Sequence, residues 1–83
     1  LFYAEWCHYC SRFRPLFAEA AKKSRYVFAA IDISDEENPL WERLGIDAVP
    51  TMILYRTGKI ADRITGGLEK NELDAFIKKN GIT

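Results

Sequence analysis

Apolar and polar positions along the chain change their period several times, and each change marks an element. Leu1 to Ala4 is an apolar stretch that reads as the end of a strand. Past Cys10, Phe13, Leu16, Phe17, Ala20 and Ala21 recur at helical spacing. Pro15 lies inside that pattern and predicts a kink, because it removes a backbone donor and crowds the carbonyl four residues earlier. Lys22, Lys23 and Arg25 suit the negative end of the helix dipole. Tyr26 to Ile33 is nearly continuous apolar sequence interrupted by Asp32, which predicts a strand covered on both faces. Asp35-Glu36-Glu37 reads as a solvated turn, and Asn38-Pro39 as an N-cap with proline at the first helical position. Leu40, Trp41 and Leu44 share one face of the short helix, which Gly45 ends.

After Val49-Pro50 the chain reads as a strand from Thr51 to Tyr55, a tight turn at Thr57-Gly58, and a returning strand from Ile60 to Thr65. Gly66-Gly67 breaks it. A last helix over about Lys70 to Lys79 buries Leu73, Phe76 and Ile77, with acids early and lysines late. Helices between strands predict parallel crossovers, and the hairpin adds an antiparallel edge. The fold class is therefore α/β, a central mixed sheet flanked by helices.

Composition narrows the function. Eighty-three residues allow one domain, residues 1–83, and 48% hydrophobic residues supply a real core. Twelve basic and twelve acidic residues cancel, and no basic stripe marks a nucleic-acid surface. No apolar run approaches the ~20 residues that span a bilayer. Both cysteines sit in one C-x-x-C, which closes too small a loop to staple a fold, so a functional pair is the better reading.

Cys7 and Cys10 lie three residues apart at a helix start, on one face and within reach of a disulfide. The unpaired N–H groups and partial positive charge of that terminus favour thiolate over thiol at Cys7, and the thiolate is the attacking species in disulfide exchange. Cys10 can then resolve the mixed disulfide. His8, the one histidine, is a candidate for tuning the thiolate through a second positive charge, or else a solvent-exposed spacer. Tyr9 offers a hydroxyl or a stacking surface and is given no chemistry. Structural zinc wants four ligands, and two cysteines with one histidine fall short unless two chains combine, so no metal or cofactor is expected.

The segment Phe2-Tyr3-Ala4-Glu5-Trp6-Cys7-His8-Tyr9-Cys10 resembles the thioredoxin active site. Pro15 matches the family's helix proline, Ala48-Val49-Pro50-Thr51 its cis-proline loop, and Gly58-Lys59 with Gly66-Gly67 its hairpin turn and later glycine. The resemblance covers essentially the whole chain. It implies a thioredoxin-like fold and a protein-disulfide oxidoreductase without cofactor, in which Cys7 is the exposed nucleophile and Cys10 the buried resolving thiol. It further implies a cis bond before Pro50 and a shallow substrate groove along Trp6, Tyr9, Val49, Pro50 and Gly66, where the Val49 backbone pairs with a substrate strand. The implied partners are proteins with disulfides or thiols and an upstream thiol reductase or oxidase, acting on a monomer. The cytoplasm leads as compartment, with the periplasm or another extracytoplasmic space as the alternative.

Three departures accompany the resemblance. His8-Tyr9 replaces the thioredoxin Gly-Pro; a tyrosine before the second cysteine is found in glutaredoxins and some disulfide isomerases. Leu1 stands where thioredoxins carry a buried acid. The family's first strand and first helix are absent, which suggests a piece of a longer chain. With the helix terminus and His8 both favouring the reduced thiolate, the centre is expected to be more oxidising than thioredoxin. Reduction, oxidation and isomerisation all stay open as its direction. So do a chaperone-type binding module of the same fold with slow redox turnover, and a metal or iron–sulfur site bridging two chains.

Overall fold

Leu1 to Ala4 are all buried, which four consecutive apolar side chains achieve only in a strand with neighbours on both sides. In the computed structural model, which describes residues 1–66 and 68–83, strand β1 (Phe2–Tyr3) lies in the middle of a four-stranded sheet. Helix α1 (His8–Lys23) carries the chain across to β2 (Ile31–Asp32), which pairs parallel to β1 with Phe2 opposite Ile31. Helix α2 (Leu40–Arg43) precedes β3 (Thr51–Arg56). A hairpin leads to β4 (Lys59–Thr65), and α3 (Lys70–Lys79) closes the order. The sheet runs β2-β1-β3-β4. Thr57 and Gly58 both have positive φ, 51° and 78°, as a two-residue hairpin turn requires. Gly67, read as half of the break before the last helix, lies outside the described residues.

Alternation along the strands divides the core. Leu1, Met52 and Leu54 point to the face covered by α1 and α3, where they meet Phe13, Leu68, Leu73 and Phe76. Phe2 and Ile53 point to the other face, with Ile33, Ile46 and the α2 side chains Leu40, Trp41 and Leu44. Leu1, in the place of the family's buried acid, thus belongs to the apolar core. Pro15 sits within α1, and Asn38 caps α2 by accepting the Leu40 N–H at 3.0 Å, although the helix begins one residue later than the proline suggested.

Two expectations are corrected. The strand expected over Tyr26 to Ile33 is limited to Ile31–Asp32, and Val27 is 95% exposed. Strand β2 lies at the sheet edge, with β1 as its one neighbour, so residues before it have no ladder to join on the outer side. The second crossover is not parallel: β3 runs antiparallel to β1, with Thr51 opposite Phe2. Helix α2 has four residues and rises only about 6 Å, too little to return the chain to the far end of the sheet. Strand β3 therefore begins at the end where β1 finishes. That reversal sets Val49-Pro50 beside the start of α1.

Candidate active site

Strand β1 runs through Ala4 into a turn closed by the Cys7 N–H donating to the Ala4 carbonyl at 3.1 Å. Cys7 is the N-cap of α1, with extended backbone (φ −92°, ψ 115°). Its sulfur takes the place of the usual capping oxygen and accepts the backbone N–H of Cys10 at 3.2 Å. The helix terminus thus directs a real donor at this sulfur, as well as its dipole. The Cys7 thiol in turn donates to the Val49 carbonyl at 3.4 Å.

The two cysteines are both free thiols, yet they differ. Cys7 keeps 9% of its surface, whereas Cys10 is wholly buried. Burial pushes the Cys10 thiol up to about 12, and its hydrogen bond to Cys7 adds to this. A backbone hydrogen bond from Ala4 and the charge of Arg14 pull the other way. Cys10 is thus held as a protonated reserve behind Cys7, which is itself largely buried rather than exposed as the resemblance implied.

Tyr3, Ala4, Cys7 and Cys10 form one buried cluster with Val49 against it. The Val49–Pro50 peptide is cis, and Pro50 is among the fully buried side chains. Thr51 fixes the loop from below: its buried hydroxyl donates to the Ala48 carbonyl at 2.7 Å and pairs with the Thr65 hydroxyl. Gly66, with φ of 114°, donates its N–H to the Pro50 carbonyl at 3.2 Å. Trp6 is 57% exposed and anchors its indole N–H on the Ser34 carbonyl at 2.8 Å.

Cys7, Cys10, Val49, Pro50 and Gly66 are therefore brought to one end of the sheet, with Trp6 beside them. Tyr9 is equally exposed, on the outer side of the first helical turn. His8 is exposed too; its ring meets the edge of Tyr9 at 6.3 Å, and no side-chain hydrogen bond ties it to either sulfur among the described residues. Asp32 turns its carboxylate to the hydroxyl and N–H of Ser34, which hold it below the usual carboxylate range. An apolar groove between the segment Tyr26, Val27 and Phe28 and side chains of β1, β3 and α3 includes neither cysteine.

Arg14 was missing from the sequence reading. It follows Cys10 by four residues, hence on the same side of α1. Its guanidinium lies 4.0 Å over the Tyr3 ring and 3.8 Å from Glu5. The spacing from Cys10 was visible; the aromatic partner on β1 was not. Trp41, on the helix face shared with Leu40 and Leu44, packs on Phe2, Ile33 and Ile46, and its ring also lies parallel to Trp6 at 6.2 Å. Among the described residues, no three His, Cys, Asp or Glu side chains converge as metal ligands, and no helix is long and apolar enough to cross a membrane.

Comparison with known proteins adds ancestry to this geometry. The family model described as Thioredoxin matches residues 1–79. A thioredoxin of Mycoplasmoides gallisepticum is 37% identical over 78 residues, covering 93% of this chain and 77% of that protein. Thioredoxin H5 of Arabidopsis thaliana is 37% identical over 81 residues, covering 96% and 67%. Among solved structures, a chain of the ferredoxin:thioredoxin reductase and thioredoxin f2 complex superposes with a TM-score of 0.85 at 28% identity, covering 96% of this chain and 73% of that one. The chain belongs to the thioredoxin family of protein thiol–disulfide oxidoreductases.

Proposed function

We propose that Cys7 is the attacking sulfur and Cys10 the resolving one, in a centre that reduces protein disulfides. The observation that carries this division is the Cys10 N–H directed at the Cys7 sulfur at 3.2 Å, while Cys10 itself is wholly buried. Attack by the Cys7 thiolate breaks the substrate S–S bond and releases one substrate sulfur, which takes up a proton. Cys10 then loses its proton and attacks the Cys7 sulfur, freeing the second substrate thiolate and closing the Cys7–Cys10 disulfide. Two electrons pass to the substrate, and an upstream dithiol reductase returns them. The solved structure of a thioredoxin f2 with ferredoxin:thioredoxin reductase is an example of such a partner in a similar protein.

In this reading Trp6, Tyr9, Val49, Pro50 and Gly66 line the substrate groove of a monomer, and the Val49 backbone pairs with an extended substrate segment. His8, in its protonated form, adds positive charge beside the reduced centre. Substrate trapping separates the roles. Cys10→Ser should accumulate a mixed disulfide with disulfide-bonded clients such as insulin, because the first attack is intact and resolution is lost. Cys7→Ser should neither trap nor turn over. Turnover that survives Cys7→Ser would overturn the assignment. Trapping without turnover in the unaltered protein would favour a client-holding module.

A further inference from the structure

We propose that the hollow beside Cys7, walled by Trp6 and Trp41, is a specificity subsite for a lysine or arginine side chain flanking the substrate's disulfide. The proposal deepens the oxidoreductase reading and rests on it.

The hollow is lined by Trp6, Glu36, Trp41, Asp47, Ala48 and Val49. Val49 ties it to the chemistry, since the same residue accepts the Cys7 thiol through its carbonyl. A peptide whose cysteine lies over Cys7 and whose backbone follows Val49 therefore places a neighbouring side chain here.

The walls are fixed and offer ring surface. Trp6 and Trp41 lie parallel within 6°. Trp6 donates its indole N–H to the Ser34 carbonyl, and Trp41 donates to the carbonyls of Ile33 at 3.0 Å and Asp35 at 3.2 Å. Both donors are used on one turn of backbone. What remains for a ligand is the aromatic face, which attracts a cation through its quadrupole.

The charges at the rim have the matching sign. The chain is neutral as a whole, but residues 26–55 hold Asp32, Asp35, Glu36, Glu37, Glu42 and Asp47 against Arg43 alone. Some of these acids are engaged within the fold: Asp32 accepts from Ser34, and Asp35 caps the Glu37 N–H at 2.9 Å. Glu36 and Asp47 are exposed, line the hollow, and have no hydrogen bond or ion pair among the described side chains. A solvated acidic turn accounts for Asp35 and Glu37. It does not account for two unengaged carboxylates lining a hollow walled by the exposed Trp6 and the half-buried Trp41, next to the residue that accepts the nucleophile's thiol. A basic side chain can stack its guanidinium or its alkyl stem on the rings and carry its charge to the carboxylates.

The test uses short peptide disulfides that differ only in the residue next to cysteine: lysine, norleucine or glutamate. Reduced protein is mixed with each, and the second-order rate of its oxidation is followed. The lysine peptide should react about fivefold faster than the norleucine peptide, with the glutamate peptide slowest. The lysine-to-glutamate ratio should fall towards one in Glu36→Gln/Asp47→Asn and at high salt. Equal rates for the three peptides, or a ratio unchanged in the double variant, would overturn the subsite.

A second arm keeps this separate from the redox assignment. Peptides with serine in place of cysteine are titrated onto the protein while the indole N–H resonances of Trp6 and Trp41 are observed. Tighter binding of the lysine form, with shifts at both indoles, supports the subsite even if no disulfide turns over. Equal affinity for the lysine and glutamate forms overturns it even if every disulfide is reduced.

Discussion

The Arg14 guanidinium rests 4.0 Å above the ring of Tyr3, in the cluster that also holds Cys7 and Cys10. The contact fixes a long, flexible side chain at a place where its charge acts on Cys10 and on Asp32. Cys10 needs that charge only when it ionises to resolve the mixed disulfide. Arg14→Gln is therefore expected to slow resolution about threefold, a modest factor because the guanidinium is partly exposed and screened. Arg14→Lys should recover much of the rate by keeping the charge. The measurement is the lifetime of the mixed disulfide in acid-quenched samples analysed by mass. A slower first attack with an unchanged lifetime would contradict this placement.

The raised Cys10 thiol gives the reduced protein a particular pH dependence. Its proton is held from the ordinary 9.0 up to about 12. Below pH 9 both folded and unfolded chains carry the proton, and stability does not depend on it. Above pH 9 the unfolded chain loses the proton while the folded chain keeps it, so stability falls as pH rises. The expected loss between pH 8 and pH 10 is about 1 kcal/mol greater for the reduced protein than for Cys10→Ser. Urea denaturation under reducing conditions at the two pH values reads it directly. Parallel losses in both proteins would mean that Cys10 is no harder to ionise when folded.

The cysteine pair was legible because its chemistry is local: a helix start, a spacing of three and a tryptophan beside it. The β3–β4 hairpin and α3 were legible for the same reason, since turn residues and helical period act over a few positions. What escaped depends on lateral neighbours. Periodicity shows that Tyr26 to Ile33 is apolar but not that β2 has β1 on one side only. It places Trp41 on the inner face of α2 without showing that Trp6 lies parallel to it across the turn. The antiparallel entry of β3 likewise follows from the short rise of α2, and it is this entry that joins Val49 and Pro50 to the cysteines.

Two threonine hydroxyls hold the loop before Pro50, and they back each other up. The Thr51 hydroxyl donates to the Ala48 carbonyl at 2.7 Å and accepts the Thr65 hydroxyl proton, which turns to the same carbonyl, 3.2 Å away, once Thr51 is removed. Thr51→Val alone leaves that carbonyl with Thr65, and Thr65→Val alone leaves it with Thr51. Each single change should cost about 1 kcal/mol. The double change removes both donors, so its cost should exceed the sum of the singles by about another 1 kcal/mol. A double-mutant cycle by urea denaturation checks this. Strict additivity would show that the two hydroxyls do not share the carbonyl.

The charge of the residue after Cys7 should move the redox potential even though its side chain faces solvent. Position 8 is the first residue of α1, where the helix terminus already places partial positive charge near the Cys7 sulfur. A further cation there stabilises the thiolate, hence the reduced form, and raises the potential. Comparing His8→Lys with His8→Gln sets a permanent charge against a neutral amide on the same backbone, so no imidazole titration enters. Lysine should give the higher potential, by roughly 10 mV, with the unaltered centre lying above the approximately −270 mV of thioredoxin. Equilibration of each variant with glutathione or a reference dithiol gives the values. Equal potentials for the two variants would reduce His8 to a spacer and leave the Cys10 N–H as the donor directed at the Cys7 sulfur.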